Sequence, residues 1–380
     1  MAKASTTATA KARKSPTKKP RKRSAKAEPA PAPSGEFQIY ASPHFAGWLH
    51  EQNVSLGFTT YQAGKLFLIG LKETGQISVE ERSVDRCMGI AAHDNALYVS
   101  SDYQIWRFEN ALLPGQTVDG YDRVYLPKTS HVTGAIDVHE MDLDGEGYLV
   151  FVNTKFSCIS TLNDRYSFEP IWWPPFISKL APEDRCHMNG MALVDGQPSY
   201  VTAVAATDTP EGWRERRTDG GVVIDAFENE TVLGGLSMPH SPRWHRNGLW
   251  LLESGTGWFG RADLDAGEFE EITFCPGYAR GMAMYRNYAV VCVSQPRDEA
   301  TFGGLPLDDN LERAKLKAAC GILVIDIERG EIVHWLRLDG PIQELFDIAL
   351  MPGATRPRAV GFKGDEIKYA VSLPPTVDGG

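Results

Sequence analysis

The chain has 380 residues, of which 42% are hydrophobic and 10% aromatic, and its formal net charge at pH 7 is −10. This composition is typical of a globular protein with a sizeable core. No run of residues is long and apolar enough to span a bilayer, and the N-terminus lacks the apolar segment of a secretory signal peptide. The six cysteines show no C-x-x-C pair and no disulfide-framework spacing, so we expect reduced, buried thiols in a cytoplasmic protein.

Residues 1–34 differ from the rest of the chain. They contain ten Lys or Arg and one acidic residue, Glu28, so this segment carries +9 and residues 35–380 carry −19. A segment so poor in apolar residues cannot bury enough surface to offset the entropy of ordering, and we expect a disordered basic tail. The tail could bind nucleic acid or anionic lipid nonspecifically, fold back on the acidic body, or serve only as a solubilising extension.

Two short elements open the body. Residues 37–42 alternate between apolar and polar side chains as a strand does, and residues 43–53 are predicted to form a short helix.

One unit then recurs along the chain: a short segment, a polar turn, an apolar run and a second polar loop. The clearest copy, residues 238–257, turns at Asn247-Gly248, and Asn-Gly is a strong signal for a β-hairpin. The related copies are residues 56–70, 89–101, 136–153, 188–206, 281–294 and 346–362.

Recurring hairpins that begin and end alike indicate a β-propeller. We therefore predict that residues 35–380 form a single all-β domain, a propeller of seven blades, with six blades as the alternative. A large β-sandwich is the competing architecture, but it would not require the hairpins to match. Residues 37–42 are expected to pair into the last blade, which would leave no open sheet edge at that point.

Two insertions interrupt the pattern. Residues 208–220 are polar and typical of a loop. Residues 308–319 have an acidic start and a basic end, which fits a helix aligned with its macrodipole. Both insertions leave from the second polar loop of their hairpin, so they should rise from one face of the propeller.

Aligning the hairpins on their turns places one group of residues at the rim of the central channel. The segments that enter the first strands of four successive blades carry His139, His187, His240 and Arg280. Other polar residues of this rim, or beside those histidines, are Glu140, Asn189, Arg243, Asp102, Asn153, Glu253 and Gln295. The mouth of a propeller is a common ligand site, because converging blades bring distant residues together.

Three histidines at one rim fit a catalytic metal site with one open position. We therefore expect a divalent transition metal (Zn, Mn or Fe) on His139, His187 and His240. The candidate catalytic groups are Glu140, Glu253 and Arg280. The candidate substrate contacts are Asn189, Arg243, Asp102, Asn153 and Gln295. Without a metal, the histidines and Arg280 could hold an anionic ligand, or each histidine could simply join neighbouring loops.

Three motifs carry a resemblance to a known family. DVHEMD at residues 137–142, CHMNGMA at 186–192 and MPHSPRW at 238–244 resemble a bacterial family of conserved proteins with a domain of unknown function. The resemblance covers about residues 38–372 and implies no particular activity. A weaker similarity to gluconolactonase-like propellers rests on Asn189-Gly190, but here histidines stand where a calcium site would want carboxylates.

Two functions from different classes follow. The first is a metal-dependent hydrolase or lyase that acts on a small polar or sugar-like substrate at the channel mouth. The second is a noncatalytic propeller that binds a protein, a peptide or a small anionic ligand, with the basic tail as a further contact. The sequence contains no Walker loop, no nucleophile elbow and no dinucleotide-binding fingerprint after a strand.

Overall fold

The computed structural model describes residues 37–296 and 303–373. In this part of the chain, six β-sheets form a six-bladed propeller, and the innermost strands of successive blades contact one another around the central channel. The predicted all-β propeller is confirmed, but the prediction of seven blades is wrong. The basic segment 1–34 lies outside the described residues.

Strand β1 (Gln38–Ala41) and helix α1 (Phe45–Gln52) precede the first blade. The helix buries Phe45, Trp48 and Leu49, which lie three and four residues apart on one face. It ends at Asn53, whose φ of 51° lies in the left-handed region that commonly terminates helices. The short helix predicted after the first strand is therefore present.

Blade 1 closes the ring and explains the error in the blade count. It contains β2 (Val54–Thr60), β3 (Lys65–Leu71), β4 (Ile77–Ser83) and, as its innermost strand, β25 (Ile348–Pro352). Strand β25 pairs antiparallel with β2, with Leu56 opposite Leu350. The hairpins predicted at residues 56–70 and 346–362 are thus not two blades. Strand β25 of the second segment joins β2 and β3 in one sheet that the two ends of the chain complete together, whereas residues Pro357–Ala359 of that segment join the next blade.

Two blades gain a fifth strand. Blade 2 contains β5 (Ile90–His93), β6 (Ala96–Ser100), β7 (Gln104–Asn110), β8 (Arg123–Val132) and β26 (Pro357–Ala359), which runs parallel to β8. Blade 6 contains β21 (Tyr278–Tyr285), β22 (Tyr288–Ser294), β23 (Gly321–Asp326), β24 (Glu331–Asp339) and β1. Since β1 pairs with the outer strand β24, the N-terminal strand joins the last blade as predicted.

The remaining blades are each built from four consecutive antiparallel strands. Blade 3 contains β9 (Val138–Leu143), β10 (Leu149–Asn153), β11 (Cys158–Thr161) and β12 (Glu169–Trp172). Blade 4 contains β13 (Met188–Val194), β14 (Gln197–Ala203), β15 (Gly221–Asp225) and β16 (Glu230–Leu236). Blade 5 contains β17 (Pro239–His245), β18 (Gly248–Glu253), β19 (Trp258–Asp263) and β20 (Glu268–Phe274).

The hydrophobic core lies between neighbouring blades. Second strands such as β10 and β18 are buried along their whole length. Leu66 and Leu68 of blade 1, for example, share a cluster with Leu97 and Val99 of blade 2. Because both faces of such a strand are covered, its sequence is a continuous apolar run rather than an alternating one.

A repeated hydroxyl contact joins the blades at the end of the channel where the second strands finish. In five blades, a Ser or Thr at this position donates its hydroxyl proton to a carbonyl oxygen just before or within the innermost strand of the next blade. The pairs are Thr59 with Met88, Ser100 with Val138, Thr154 with Met188, Ser254 with Ala279 and Ser294 with Leu345. These buried bonds fix the rim on which the candidate site is built.

The two insertions pack together beside this rim. The first contains a 3-10 helix (Gly212–Arg216), and the second contains helix α2 (Pro306–Ala314), which begins with a proline and two early acidic residues. The helix predicted over residues 308–319 is present, but it begins two residues earlier and ends at Ala314. They share one buried cluster, here called the roof cluster: Val204, Ala205, Trp213, Met238, Tyr278, Leu305, Leu307 and Leu311.

A last short helix, α3 (Glu366–Tyr369), follows the ring. No helix among the described residues is long and apolar enough to cross a membrane.

Candidate functional site

The structure brings together three histidines and an arginine from four successive blades. The rings of His139 and His187 are 4.9 Å apart between centroids and meet edge to face. Burial pushes the pKa of the His139 imidazole well below its usual value, and the charges of His187, His240 and Arg280 lower it further. His139 and Arg280 both lie against Phe346, and His240 and Arg280 both lie near Tyr278, so the four side chains are close together at the mouth.

His240 is also buried and uncharged near neutral pH. Burial is the largest cause that lowers the pKa of His240, to about 3, and the charges of Arg280 and His187 act in the same direction. Such a ring binds other groups through hydrogen bonds or a lone pair rather than through a positive charge.

The hydrogen bonds of His139 determine which of its nitrogens carries the proton. Nδ1 lies 2.7 Å from the hydroxyl oxygen of Thr154, and that hydroxyl donates its own proton to the Met188 carbonyl at 2.6 Å. A hydroxyl has one proton to give, so Nδ1–H of His139 must be the donor to Thr154. Nε2 is then the nitrogen that presents a lone pair.

The same construction recurs two blades away at His240. Its Nδ1 lies 2.9 Å from the Met238 carbonyl oxygen and 3.0 Å from the hydroxyl of Ser254. The carbonyl can only accept, and Ser254 donates its proton to the Ala279 carbonyl. Nδ1–H of His240 is therefore again the donor, and Nε2 again presents a lone pair.

His187 reaches the mouth from a different register. The N–H groups of Thr154, Val204 and Ser254 donate to the carbonyls of Asp137, His187 and Met238, respectively. His187 thus occupies the place of Asp137 and Met238, and the counterpart of His139 and His240 in blade 4 is Asn189. The common register expected of the three histidines holds for two of them. The φ of His187 is 50°, close to the 54° of Asp137 and the 48° of Met238, so these three residues are equivalent in backbone conformation as well.

A carboxylate orients His187. Both oxygens of Asp184 lie 3.0 Å from its Nδ1, so Nδ1–H donates to the carboxylate, and in the neutral ring Nε2 presents the lone pair. The indole N–H of Trp213 donates to the same carboxylate at 3.1 Å. Burial alone would raise the pKa of Asp184, but the charge and hydrogen bond of His187, the charge of Lys155 and the Trp213 bond together lower it.

The three histidines therefore share one arrangement. Each uses Nδ1–H inside the protein, and no described residue bonds Nε2 in any of them. Each ring also packs against an aromatic side chain: His139 against Phe346, His187 against Trp213 and His240 against Tyr278.

Arg280 supplies the positive charge of the mouth. Its guanidinium forms a buried ion pair with Glu344 and lies 4.1 Å from the centre of the Phe346 ring. Gly281, the next residue, has a φ of 76°, and a Cβ there would lie 2.6 Å from the Phe346 carbonyl oxygen. Only glycine lets the chain pass at this point.

Glu140 and Arg243 form a separate network. Arg243 Nη1 is 2.8 Å from Glu140 Oε2, which also accepts the Met191 N–H. Burial and, after it, the neighbouring charge of Glu140 raise the pKa of Asp347 to about 8, against the lowering effect of Arg243. Within the described part of the chain, the buried Oε1 of Glu140 has no hydrogen-bond partner.

Glu253 anchors the loops beneath the roof cluster. Its carboxylate accepts the Ser237 N–H and the Thr256 hydroxyl, both at 2.8 Å. The carbonyls of Gly255 and Thr256 in turn accept bonds from Leu307 and Asn310 of the second insertion. Burial raises the pKa of Glu253.

The other predicted substrate contacts have protein partners of their own. Asn153 accepts the Phe156 N–H, and Asn189 accepts the Thr202 hydroxyl, while their side-chain amide nitrogens are buried without a partner among the described residues. Asp102 forms an ion pair with Arg86 at 3.1 Å, and the backbone N–H of Gln295 donates to Gln343.

Sequence reasoning missed Asp184, Trp213 and the two hydroxyls that fix the tautomers. The recurring Ser or Thr at the end of the second strands could have been found in the sequence, because Thr154, Ser254 and Ser294 occupy matching positions of their hairpins. Trp213 lies in an insertion, where no repeat could point to it.

Within residues 37–296 and 303–373, no three His, Cys, Asp or Glu side chains are arranged so that they could hold one metal.

Residues 43–360 match the model of a family described as Domain of unknown function (DUF4915). The chain belongs to this family. This confirms the resemblance seen in the three sequence motifs. A search of curated proteins gives no match.

Three solved structures are similar to this chain at low identity. A chain of the nidogen/laminin complex is 11% identical, with a TM-score of 0.48 over 79% of this chain and 99% of the other. A protein of unknown function from Bacteroides caccae is 15% identical, with a TM-score of 0.47 over 79% and 99%. A luciferin-regenerating enzyme is 13% identical, with a TM-score of 0.43 over 81% and 92%. Similarities this distant carry no information about activity or partners.

Proposed function

We propose that the channel mouth is the active site of a hydrolase or lyase for a small polar or sugar-like substrate. The observation that carries the proposal is the shared tautomer of His139, His187 and His240. Three neighbouring imidazoles with protonated Nδ1 offer three Nε2 lone pairs to whatever enters the mouth.

This arrangement selects the chemistry of the ligand. An Nε2 lone pair on a neutral ring, as in His139 and His240, accepts hydrogen bonds, so the mouth suits a molecule that offers O–H or N–H groups. The aromatic rings beside the histidines add apolar surface for the carbon framework of a sugar-like molecule. Arg280 is the group suited to an anionic part of the substrate, although its ion pair with Glu344 already satisfies part of its charge.

His187 is the proposed proton acceptor. The pair formed with Asp184 holds the ring with its lone pair outward and stabilises the imidazolium that forms when Nε2 takes a proton. In a hydrolysis, a water would give that proton to Nε2 as its oxygen attacks the substrate, and the same proton would return to the leaving group. In a lyase reaction, Nε2 would take a proton from the carbon next to the one that carries the leaving group. The C–H electron pair would form the double bond, and the leaving group would depart with its bonding electrons and take the proton back from the imidazolium.

The three Nε2 atoms of these histidines also support the metal-dependent form of the proposal. Histidine ligands of metals commonly bond their other nitrogen to a carboxylate, carbonyl or hydroxyl, as all three do here. His139, His187 and His240 would hold a divalent Zn, Mn or Fe, which would supply Lewis acidity at the mouth. Binding would have to draw the rings closer together than they lie in this structure.

Elemental analysis and activity assays test the proposal together. The purified protein is measured for bound Zn, Mn and Fe and assayed against small hydroxylated esters, lactones and hydroxy acids. The His187→Gln variant should lose turnover by at least about 10²-fold, because it removes the proton acceptor. His245→Gln is the matched control, since that ring lies at the opposite turn and bonds the Arg286 carbonyl at 2.8 Å.

The result also decides between the two classes of function. Stoichiometric metal that His240→Ala loses would establish the metal-dependent form. Turnover without metal would establish the acid–base form. If neither metal nor turnover is found, the protein is better described as a noncatalytic propeller that binds a protein, a peptide or a small anionic ligand.

We also propose that the protein is cytoplasmic. Its six cysteines are buried and none forms a disulfide, which supports a reducing compartment.

A further inference from the structure

We propose that Trp213 is a positioning residue that holds Asp184 and His187 in the geometry of a proton acceptor. This inference rests on the proposed function of the mouth. It assigns a role to an insertion that the repeat pattern of the propeller does not explain.

Two contacts join Trp213 to the pair. Its indole N–H donates to Asp184 Oδ2 at 3.1 Å, and its ring lies against the His187 ring with centroids 4.2 Å apart and planes at 33°. An indole N–H can only donate, so this bond favours the ionised carboxylate. The ionised carboxylate in turn keeps the proton of His187 on Nδ1 and leaves Nε2 bare.

The bond also limits rotation of the carboxylate. His187 Nδ1 is equally distant, at 3.0 Å, from the two oxygens of Asp184. With Trp213 on Oδ2, the plane of the carboxylate is set by two partners instead of one. The ring contact then limits where the imidazole itself can turn.

The first insertion is built to deliver this side chain. Gly212 precedes it, and a Cβ at that position would lie 2.8 Å from the Thr207 hydroxyl oxygen and 2.9 Å from Thr209 Cβ. Trp213 itself is 2% exposed and belongs to the roof cluster. Arg217 ties the insertion to the second one through a bond of 2.8 Å to the Gly303 carbonyl.

Trp250 provides a matched control. Its indole N–H donates to the His245 carbonyl at 3.1 Å, and the residue is 8% exposed. A Trp→Phe substitution at either position removes one indole hydrogen bond from a buried ring. Only the substitution at Trp213 removes it from the carboxylate that holds His187.

The test is nuclear magnetic resonance of the imidazole nitrogens and their protons in the full-length protein. Trp213→Phe should make the His187 Nδ1 proton exchange with solvent roughly tenfold faster and shift population toward the Nε2–H tautomer. Trp250→Phe should leave both signals unchanged. An unchanged His187 tautomer and exchange rate in folded Trp213→Phe, or an equal change in Trp250→Phe, would overturn the inference.

A second measurement uses the unmodified protein, in case Trp213→Phe does not fold. The indole proton of Trp213, which bonds a carboxylate, should resonate downfield of the indole proton of Trp250, which bonds a neutral carbonyl at the same distance of 3.1 Å. A Trp213 indole proton that resonates no further downfield than that of Trp250 would also overturn the inference. Because neither measurement needs a substrate, a failed search for turnover would count against the proposed function and leave this test intact.

Discussion

Arg243 Nη1 and Glu140 Oε2 lie 2.8 Å apart, although the two residues belong to blades 5 and 3. The same guanidinium donates to the carbonyls of Met191 and Met282, in blades 4 and 6. One arginine, whose side chain is 24% exposed, therefore ties four blades together around the channel.

Removing this arginine should strongly destabilise the propeller. Arg243→Met would leave the Glu140 carboxylate buried without its positive partner, which costs about 3–5 kcal/mol in comparable pairs. Denaturant unfolding measures the loss. The double variant Glu140→Gln with Arg243→Met should recover part of it, because no buried charge is then left alone.

The exposed pair of Arg337 and Asp339, joined at 3.0 Å, is the control for that experiment. Arg337→Met should change the free energy of unfolding by less than about 1 kcal/mol, because water screens such pairs. Equal losses at the two arginines would contradict the role given to Arg243.

Asp347 should make the protein less stable as the pH rises. Burial and the charge of Glu140 raise its folded pKa to about 8, against about 3.9 for an unfolded aspartate. The folded state therefore binds more protons between these values, and stability should fall from about pH 4 to about pH 8. Asp347→Asn should flatten this part of the profile of unfolding free energy against pH. A profile that keeps its slope in the variant would show that another group is responsible.

His240 should act in the opposite direction at acid pH. Its folded pKa is about 3, against about 6.5 when unfolded, so the unfolded state binds more protons between these values. Stability should decline as the pH falls from about 6.5 to about 3, and His240→Gln should reduce the slope by about 1.4 kcal/mol per pH unit. His139 retains a slope of the same sign in that variant. Loss of stability with an unchanged slope would contradict the neutral state assigned to His240.

The basic segment 1–34 should be dispensable for folding. It has few apolar side chains to pack, so a chain that begins at residue 35 should melt within a few degrees of the full chain. Calorimetry of both forms measures the difference. A large drop in Tm would show instead that the segment docks on the acidic body.

The sequence alone determined the local parts of this protein. Asn-Gly and Asp-Gly turns followed by apolar runs specify hairpins, because both the turn conformation and the burial of a strand depend on neighbouring residues. Pairs such as β17 with β18 and β9 with β10 lie where these signals place them. The repeat also indicated that His139 and His240 share one rim, since equivalent positions in equivalent blades must meet at the same end of the channel.

Only the tertiary structure decided how many blades there are and what each polar residue does. Strand β25 completes blade 1 by pairing with β2 from the other end of the chain, a choice set by ring closure and not by any local signal. The orientation of His187 depends on Asp184 and on Trp213, which an insertion delivers from outside the repeat. The partners of a buried polar group come from whichever blades close over it, so local sequence patterns do not specify them.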